Sequence, residues 1–111
     1  MVRSSDGFEI RVRKNGLSFV TISDAHDQLT VDHKRAGELA ACLQAGRRYQ
    51  MSSNTGRVWE YNGGIHLGCV SVDQRHGPWS LDEDARAELA DQVLWAVGDG
   101  IARNNGGLID A

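Results

Sequence analysis

The chain has few of the residues that mark a secreted or membrane-spanning protein. Its 111 residues include two cysteines, one proline and 6% aromatic residues. Cys42 falls in a helical pattern and Cys69 in a strand pattern, so we predict no disulfide framework and interpret both as small buried side chains. No apolar run approaches the roughly 20 residues that cross a bilayer, and the N-terminus lacks an apolar signal segment. We therefore expect a cytoplasmic protein without a membrane partner.

Signatures of catalysis, cofactor binding and metal binding are also missing. The glycine-rich stretches at 62–64 and 98–100 lack the spacing and the strand-to-helix context of nucleotide-binding loops. His66 and Cys69 approach a metal-ligand spacing, but strand residues three apart point to opposite faces. His26 and His76 lie in loops near carboxylates, and we interpret both as turn or surface residues. We expect no enzyme activity, catalytic residue, cofactor or metal.

Charge is distributed unevenly along the chain. The formal net charge is −3. Residues 1–57 contain nine Lys and Arg against six Asp and Glu, which gives +3, whereas residues 58–111 contain three against nine, which gives −6. A general nucleic-acid binder usually carries a clear positive excess, so the total charge disfavours that class. The basic first half leaves it open as an alternative.

An internal similarity at an offset of fifty residues predicts the architecture. Between residues 8–46 and 58–96, without gaps, seven positions are identical: Leu17 and Leu67, Val20 and Val70, His26 and His76, Asp32 and Asp82, and Glu38-Leu39-Ala40 and Glu88-Leu89-Ala90. Both copies place alternating segments typical of strands before an apolar stripe of helical spacing. We predict an α+β fold in which two tandem β-β-β-α repeats, related by a pseudo-twofold axis, form an antiparallel sheet with two helices on one face.

The same pattern predicts the limits of the units within a single domain. We expect repeat one at about 8–46, a polar linker at 47–56, repeat two at about 57–98 and a flexible tail at 104–111. Helix one should run from about Asp32 to Ala45 and end at Gly46. Helix two should run from about Asp82 to Val97, with Ser80 and Glu83 as its capping box.

The face of the sheet that the helices leave uncovered is the predicted functional surface. Alternation in 8–13 and 17–23, joined by a loop at 14–16, places Phe8, Ile10, Val12, Val20 and Ile22 on the core face. It places Glu9, Arg11, Arg13, Leu17, Phe19 and Thr21 on the uncovered face. Applying the offset of fifty strictly to the second copy, a strict transfer, adds Trp59, Tyr61, Leu67 and Cys69 to the uncovered face. A two-residue turn at 63–64 would instead send Trp59 into the core, and the sequence leaves both registers open.

These residues lead to two hypotheses for function. The first is a small non-enzymatic binding or regulatory module that uses the uncovered face to bind a protein partner, including itself as a homodimer. The second is a single-stranded nucleic-acid-binding protein, in which basic groups contact phosphate and aromatic rings stack on bases. The predicted contact residues are Arg11, Arg13, Phe19, Arg47, Arg48, Trp59 and Tyr61.

Overall fold

The computed structural model describes residues 2–70 and 78–104 and shows an α+β fold. Its elements are β1 (Val2–Arg3), β2 (Glu9–Asn15), β3 (Phe19–Ser23), β4 (Gln28–Asp32), α1 (His33–Ala45), β5 (Tyr49–Ser52), β6 (Val58–Tyr61), β7 (His66–Cys69), β8 (Trp79–Ser80) and α2 (Glu83–Asn104). Strands β1 to β4 form one antiparallel sheet, sheet one, and β5 to β8 form a second, sheet two. The α+β class is confirmed, with two sheets in place of one.

Each half begins with a strand that the sequence pattern did not reveal. β1 has two residues, and β5 lies inside the 47–56 segment that was predicted as a linker. β5 has four residues, so only Tyr49 and Met51 alternate with exposed neighbours, which is a short pattern inside a polar segment. Each half therefore has four strands before its helix, where three were expected.

The hairpin of β2 and β3 has the predicted faces but a shifted loop. Val12 lies opposite Ile22, and Asn15 lies opposite Phe19, so the loop is 16–18 instead of 14–16. Moving the loop by two residues leaves the side chains within β2 and β3 on their predicted faces. Gly16, at the start of the loop, is left-handed with a φ of 68°.

The hairpin of β6 and β7 decides between the two registers left open by the sequence. Trp59 lies opposite Cys69 and Tyr61 lies opposite Leu67, so these four residues share one face, as in the strict transfer. That face is buried, however, with Trp59 only 3% exposed and Tyr61 0% exposed. The strict transfer is therefore wrong about exposure.

A one-residue difference between the halves explains this reversal. In the first half Ser4 N donates to Phe8 O and Gly7 N donates to Ser4 O, and in the second Ser53 N donates to Arg57 O and Gly56 N donates to Ser53 O. The two turns thus correspond at an offset of 49, whereas the helices correspond at 50. Because side chains alternate along a strand, a slip of one residue exchanges the two faces.

The predicted first helix is confirmed at both ends. The Asp32 carboxylate accepts a hydrogen bond from Arg35 N at 2.8 Å, and Gly46 ends α1 in the left-handed conformation with φ 67°. Its predicted apolar stripe is buried and consists of Ala36, Leu39, Ala40 and Leu43. This stripe shares one core with both sheets and with α2.

The second helix differs from its prediction at both ends. The Asp82 carboxylate accepts from Ala85 N at 2.8 Å, so Asp82 and not Ser80 caps the helix. The helix continues past the predicted stop at Gly98 to Asn104. A glycine costs a helix about 1 kcal/mol but ends it only on leaving the helical conformation, as Gly46 does. The rest of the predicted tail, 105–111, lies outside the described residues.

Hydrogen bonds at both sheet edges join the two halves. Asn54 N, beside β5, donates to Thr30 O in β4 at 2.8 Å, and Ser5 N, beside β1, donates to Ser80 O in β8 at 2.7 Å. The indole Nε1 of Trp79 also donates to the Asp24 carboxylate at 2.9 Å. These contacts fix sheet one against sheet two.

Candidate binding face

The outer face of sheet one is the side of β2, β3 and β4 that points away from the shared core. Cross-strand pairing places the following side chains on it: Glu9, Arg11, Arg13, Asn15, Phe19, Thr21, Ser23, Gln28, Thr30 and Asp32. Phe19, which is 37% exposed, is its single large apolar side chain. The outer face is therefore mostly polar.

A hydrogen-bonded pair of threonines lies in the middle of the outer face. Thr21 Oγ1 and Thr30 Oγ1 are 2.8 Å apart and both residues are buried, although they share a face with exposed arginines. Asn15 Nδ2 donates to Thr21 Oγ1 at 3.0 Å. Buried hydroxyls must be paired to avoid a desolvation cost, so these polar groups stabilise the sheet and are not free to bind a partner.

A groove of about 520 Å³ lies at one end of the outer face. Its wall combines the start of β2 with the turn after β3. It is lined by Gly7, Phe8, Glu9, Arg11, Arg13, Ser23, Asp24, Ala25 and His26. Phe8 was predicted on the core face, but it is only half-buried and lines this groove. A volume of this size falls in the range of sites for small ligands or for a side chain of a partner.

Arg11 and Arg13 are the cationic groups of this groove. Both are exposed, and among the side chains described, those of residues 2–70 and 78–98, neither forms an ion pair. The neighbouring carboxylates are already engaged. Glu9 Oε1 lies 3.6 Å from Arg3 Nη2. The Asp24 carboxylate accepts hydrogen bonds from Trp79 Nε1 and from the backbone N–H groups of His26 and Asp27. The two guanidinium groups are therefore left to attract an external anion.

The other predicted arginines lie in a different part of the fold. Arg47 and Arg48 follow α1 and lead into β5, and both are exposed. Arg48 Nε donates to Glu60 Oε2 at 2.7 Å, and its Nη2 lies 2.5 Å from the same oxygen. The structure places neither residue in the wall of the groove.

The predicted aromatic contacts of the second half belong to the interior. The rings of Trp59 and Trp79 contact each other in a tilted arrangement, with centroids 5.3 Å apart and an interplanar angle of 40°. The Tyr61 hydroxyl donates to Gly64 O at 2.6 Å and accepts from Arg86 Nη1 at 2.9 Å. Because both Trp59 and Tyr61 are buried, neither can stack on an external base or contact a partner in this conformation.

Tyr49 fixes the start of sheet two to α1. Its hydroxyl donates to Glu38 Oε1 at 2.6 Å. Partial burial raises the pKa of Tyr49, and the bond to Glu38 raises it further, because both favour the neutral phenol. The phenol is therefore a structural group that stays protonated at neutral pH.

The histidines and cysteines form no recognisable chemical site in the described residues. His26 lines the groove, and its backbone N–H donates to the Asp24 carboxylate at 2.8 Å. His76 lies outside the described residues. No group of three His, Cys, Asp or Glu side chains in residues 2–70 and 78–98 could hold a metal ion. Among the helices described, neither is both long and apolar enough to cross a membrane.

Two features of the surface were not anticipated from the sequence. The groove depends on the turn at 23–26 approaching the start of β2, which local patterns do not encode. Trp95 in α2, whose sequence context fits core and surface equally, is 64% exposed and lies 5.2 Å below the ammonium of Lys14. The basic residues at alternating positions of β2 were the sequence signal that found part of the groove.

Comparisons with known proteins give no guide to function. No model of a known protein family, no curated protein and no solved structure matches the chain. A functional proposal for this chain must therefore be built from its own residues.

Proposed function

We propose that this protein is a small, non-enzymatic binding module of the cytoplasm that contacts a protein partner through the outer face of sheet one. The observation that carries the proposal is the pair Arg11 and Arg13, two exposed cations without a carboxylate partner in the part of the chain that the structure describes. Unpaired arginines beside a groove are typical of interfaces that bind carboxylates. Cys42 and Cys69 are buried and are not joined in a disulfide, which suits a reducing compartment.

The composition of the outer face favours a polar partner. Phe19 is the single large apolar side chain on the strands of this face, Phe8 adds one in the groove, and the threonine pair at the centre of the face is internally hydrogen-bonded. Such a face suits a partner that supplies acidic groups more than one that supplies a second apolar layer. We retain Arg11, Arg13 and Phe19 as contact residues. Self-association as a homodimer remains part of the proposal, because a small domain gains buried surface from it.

We also propose that the two halves arose as tandem repeats related by a pseudo-twofold axis. Both have the order β-β-β-β-α, and both helices begin with an aspartate cap, Asp32 in one and Asp82 in the other. The edge contacts are reciprocal, since the first turn of each half donates to the last strand of the other. On this proposal the repeated residues form the scaffold, and the basic outer face is specific to the first half.

Charge reversal tests the proposed contact surface. We expect the double variant Arg11→Glu/Arg13→Glu to lose the partners that crosslinking and affinity capture recover with the unmodified protein. The matched control is Lys34→Glu/Arg57→Glu, which makes the same change in net charge at two other exposed positions. Equal capture by the unmodified protein and by the Arg11/Arg13 variant would reject the proposal. Light scattering of both variants shows whether self-association uses the same surface.

The alternative, a single-stranded nucleic-acid-binding protein, rests on Arg11, Arg13 and Phe19 sharing one face. It has less support now that Trp59 and Tyr61 lie in the core, since base stacking would rely on Phe19 and on Phe8 in the groove. Fluorescence anisotropy with a mixed-sequence oligonucleotide tests it. Affinity should fall steeply from low to physiological salt if phosphates are bound, and a flat response excludes this function.

A further inference from the structure

The two arginines of the groove have no direct ion-pair partner among the residues described. Arg11 and Arg13 are two residues apart on one face of β2, so their Cα atoms are separated by about 6.6 Å. Like charges at this separation repel each other, and neither has an ion-pair partner among the residues described. An anion placed between the two guanidinium groups would remove this repulsion and accept charge-assisted hydrogen bonds from both.

The other charges in the groove limit the kind of anion. Glu9 and Asp24 line the same groove, so its two carboxylates balance its two arginines when His26 is neutral. A dianion or a polyphosphate would be repelled by these carboxylates. A single carboxylate brings one negative charge and matches the planar fork of an arginine in a bidentate pair. The charge pattern therefore favours a monoanion over a dianion or a polyphosphate.

Apolar surface lies next to the arginines. Phe8 and Ala25 line the groove together with Gly7, which has no side chain to fill it. A Cβ added at Gly7 would meet no atom within 4 Å, so the space above this backbone is open. We infer that this groove binds a carboxylate carried next to an aromatic or aliphatic group, with Arg11 and Arg13 holding the carboxylate and Phe8 and Ala25 contacting the apolar part.

This inference rests on the proposed function, because it states the chemistry that a partner would present to the outer face. An Asp or Glu beside an apolar residue in a partner protein supplies this chemistry. A free arylalkyl carboxylate supplies it as well. The two sources are distinguished by comparing phenylacetate with the peptide N-acetyl-aspartyl-phenylalanine amide.

The experiment is a titration of the ¹⁵N-labelled full chain with these two probes, followed through the backbone amide shifts of Gly7, Arg11, Ser23 and Ala25. We expect saturable shifts with a Kd on the order of 1 mM for at least one probe, as befits a small ligand in a half-open site. Acetate, which has no apolar part, and benzyl alcohol, which has no charge, should each bind at least about fivefold more weakly. Inorganic phosphate should also bind more weakly than phenylacetate.

Neutral variants connect the binding to the arginines. Arg11→Gln/Arg13→Gln should weaken binding by at least about tenfold, because it removes both charge-assisted contacts. The control Lys34→Gln/Arg57→Gln should change affinity by less than about twofold, since neither residue lines the groove. A well-dispersed amide spectrum of each variant shows that the variant is folded, so weaker binding is not caused by loss of structure.

The outcomes separate this inference from the proposed function. Tighter binding of the peptide than of phenylacetate assigns the groove to a protein segment, and the reverse order assigns it to a free metabolite-sized acid. Absence of saturable shifts for both probes, or equal affinities in the Arg11/Arg13 variant and the unmodified protein, would overturn the inference. If partner capture still depends on Arg11 and Arg13 in that case, the proposed function stands without this ligand. If capture is independent of them, both fail.

Discussion

The β2–β3 and β6–β7 hairpins hold the same place in their halves but have different surroundings. At Gly16, in the turn of the first, an added Cβ would meet nothing within 4 Å, and the next residue, Leu17, is 52% exposed. At Gly63, in the turn of the second, a Cβ would lie 2.9 Å from the backbone N of Arg48. The second hairpin is thus packed against the residues that follow α1, whereas the turn of the first has open space around Gly16.

The same arrangement of strands therefore has a buried face in one half where the other half has an exposed one. In the second half, the buried Tyr61 hydroxyl links Arg86 of α2 to Gly64 of the turn. In the first half, the corresponding strands carry Arg11 and Arg13 outward beside a groove. The second hairpin therefore contributes buried contacts to the core, whereas the first presents exposed arginines on the outer face.

The largest expected effect is at the tightly packed turn. Gly63→Ala should destabilise the protein by about 3 kcal/mol, since a left-handed alanine costs about 1–2 kcal/mol and the crowded Cβ adds overpacking. Gly56→Ala is a matched control, because Gly56 has the same φ of 85° but open space around the new Cβ. Gly56→Ala should therefore lose only about 1–2 kcal/mol, the cost of a left-handed alanine. Urea unfolding measures both, and equal losses would show that the turn of the second hairpin is not held by α1.

The next effect concerns the indole that joins the halves. Trp79→Phe and Trp59→Phe each replace an indole with the smaller phenyl ring, and both indoles are nearly fully buried. Only Trp79 Nε1 has a partner, the Asp24 carboxylate, whereas Trp59 Nε1 is buried without one. Trp79→Phe should therefore be more destabilising by about 2 kcal/mol, the size of a hydrogen bond to a charged group. Thermal and urea denaturation compare the variants, and a larger loss for Trp59→Phe would contradict this account.

A smaller effect tests whether the helix starts of the two halves are equivalent. Asp32→Ala and Asp82→Ala each remove a cap and should each destabilise the protein by about 1 kcal/mol. Asp32 also contacts the Arg35 guanidinium, but this pair is exposed and adds little. Replacement by Asn should restore most of the loss, because an amide oxygen can accept the same backbone hydrogen bond. Unequal losses of more than about twofold would show that the halves use their caps differently.

The smallest effect on stability is expected at the outer face. Arg11→Gln/Arg13→Gln should leave the free energy of unfolding within about 0.5 kcal/mol of the unmodified protein, because the residues are exposed and form no ion pair in the described region. Relief of their mutual repulsion would move it slightly upward. Urea denaturation at low salt measures the change. A loss above about 1 kcal/mol would mean that the arginines stabilise the fold, which would weaken the case that they serve binding.

Parts of the site could be predicted because they depend on local pattern. Alternation in 8–13 identified the outward direction of Arg11 and Arg13, and exposed Phe19 followed from the same parity. The contribution of Phe8 and of the turn at 23–26 could not be predicted, because it depends on how the connection after β3 approaches the start of β2. No spacing in the sequence reports that approach.

The sequence by itself determined the α+β class, the limits of α1 and the two faces of the first hairpin. Each of these follows from local periodicity or from a capping residue, such as Asp32 or Gly46. The tertiary structure alone decided that Trp59 and Tyr61 are core residues and that a groove flanks Arg11 and Arg13. The physical reason is strand register, because a difference of one residue between the halves exchanges the two faces of a strand. Only packing against the rest of the molecule selects which of these faces is buried.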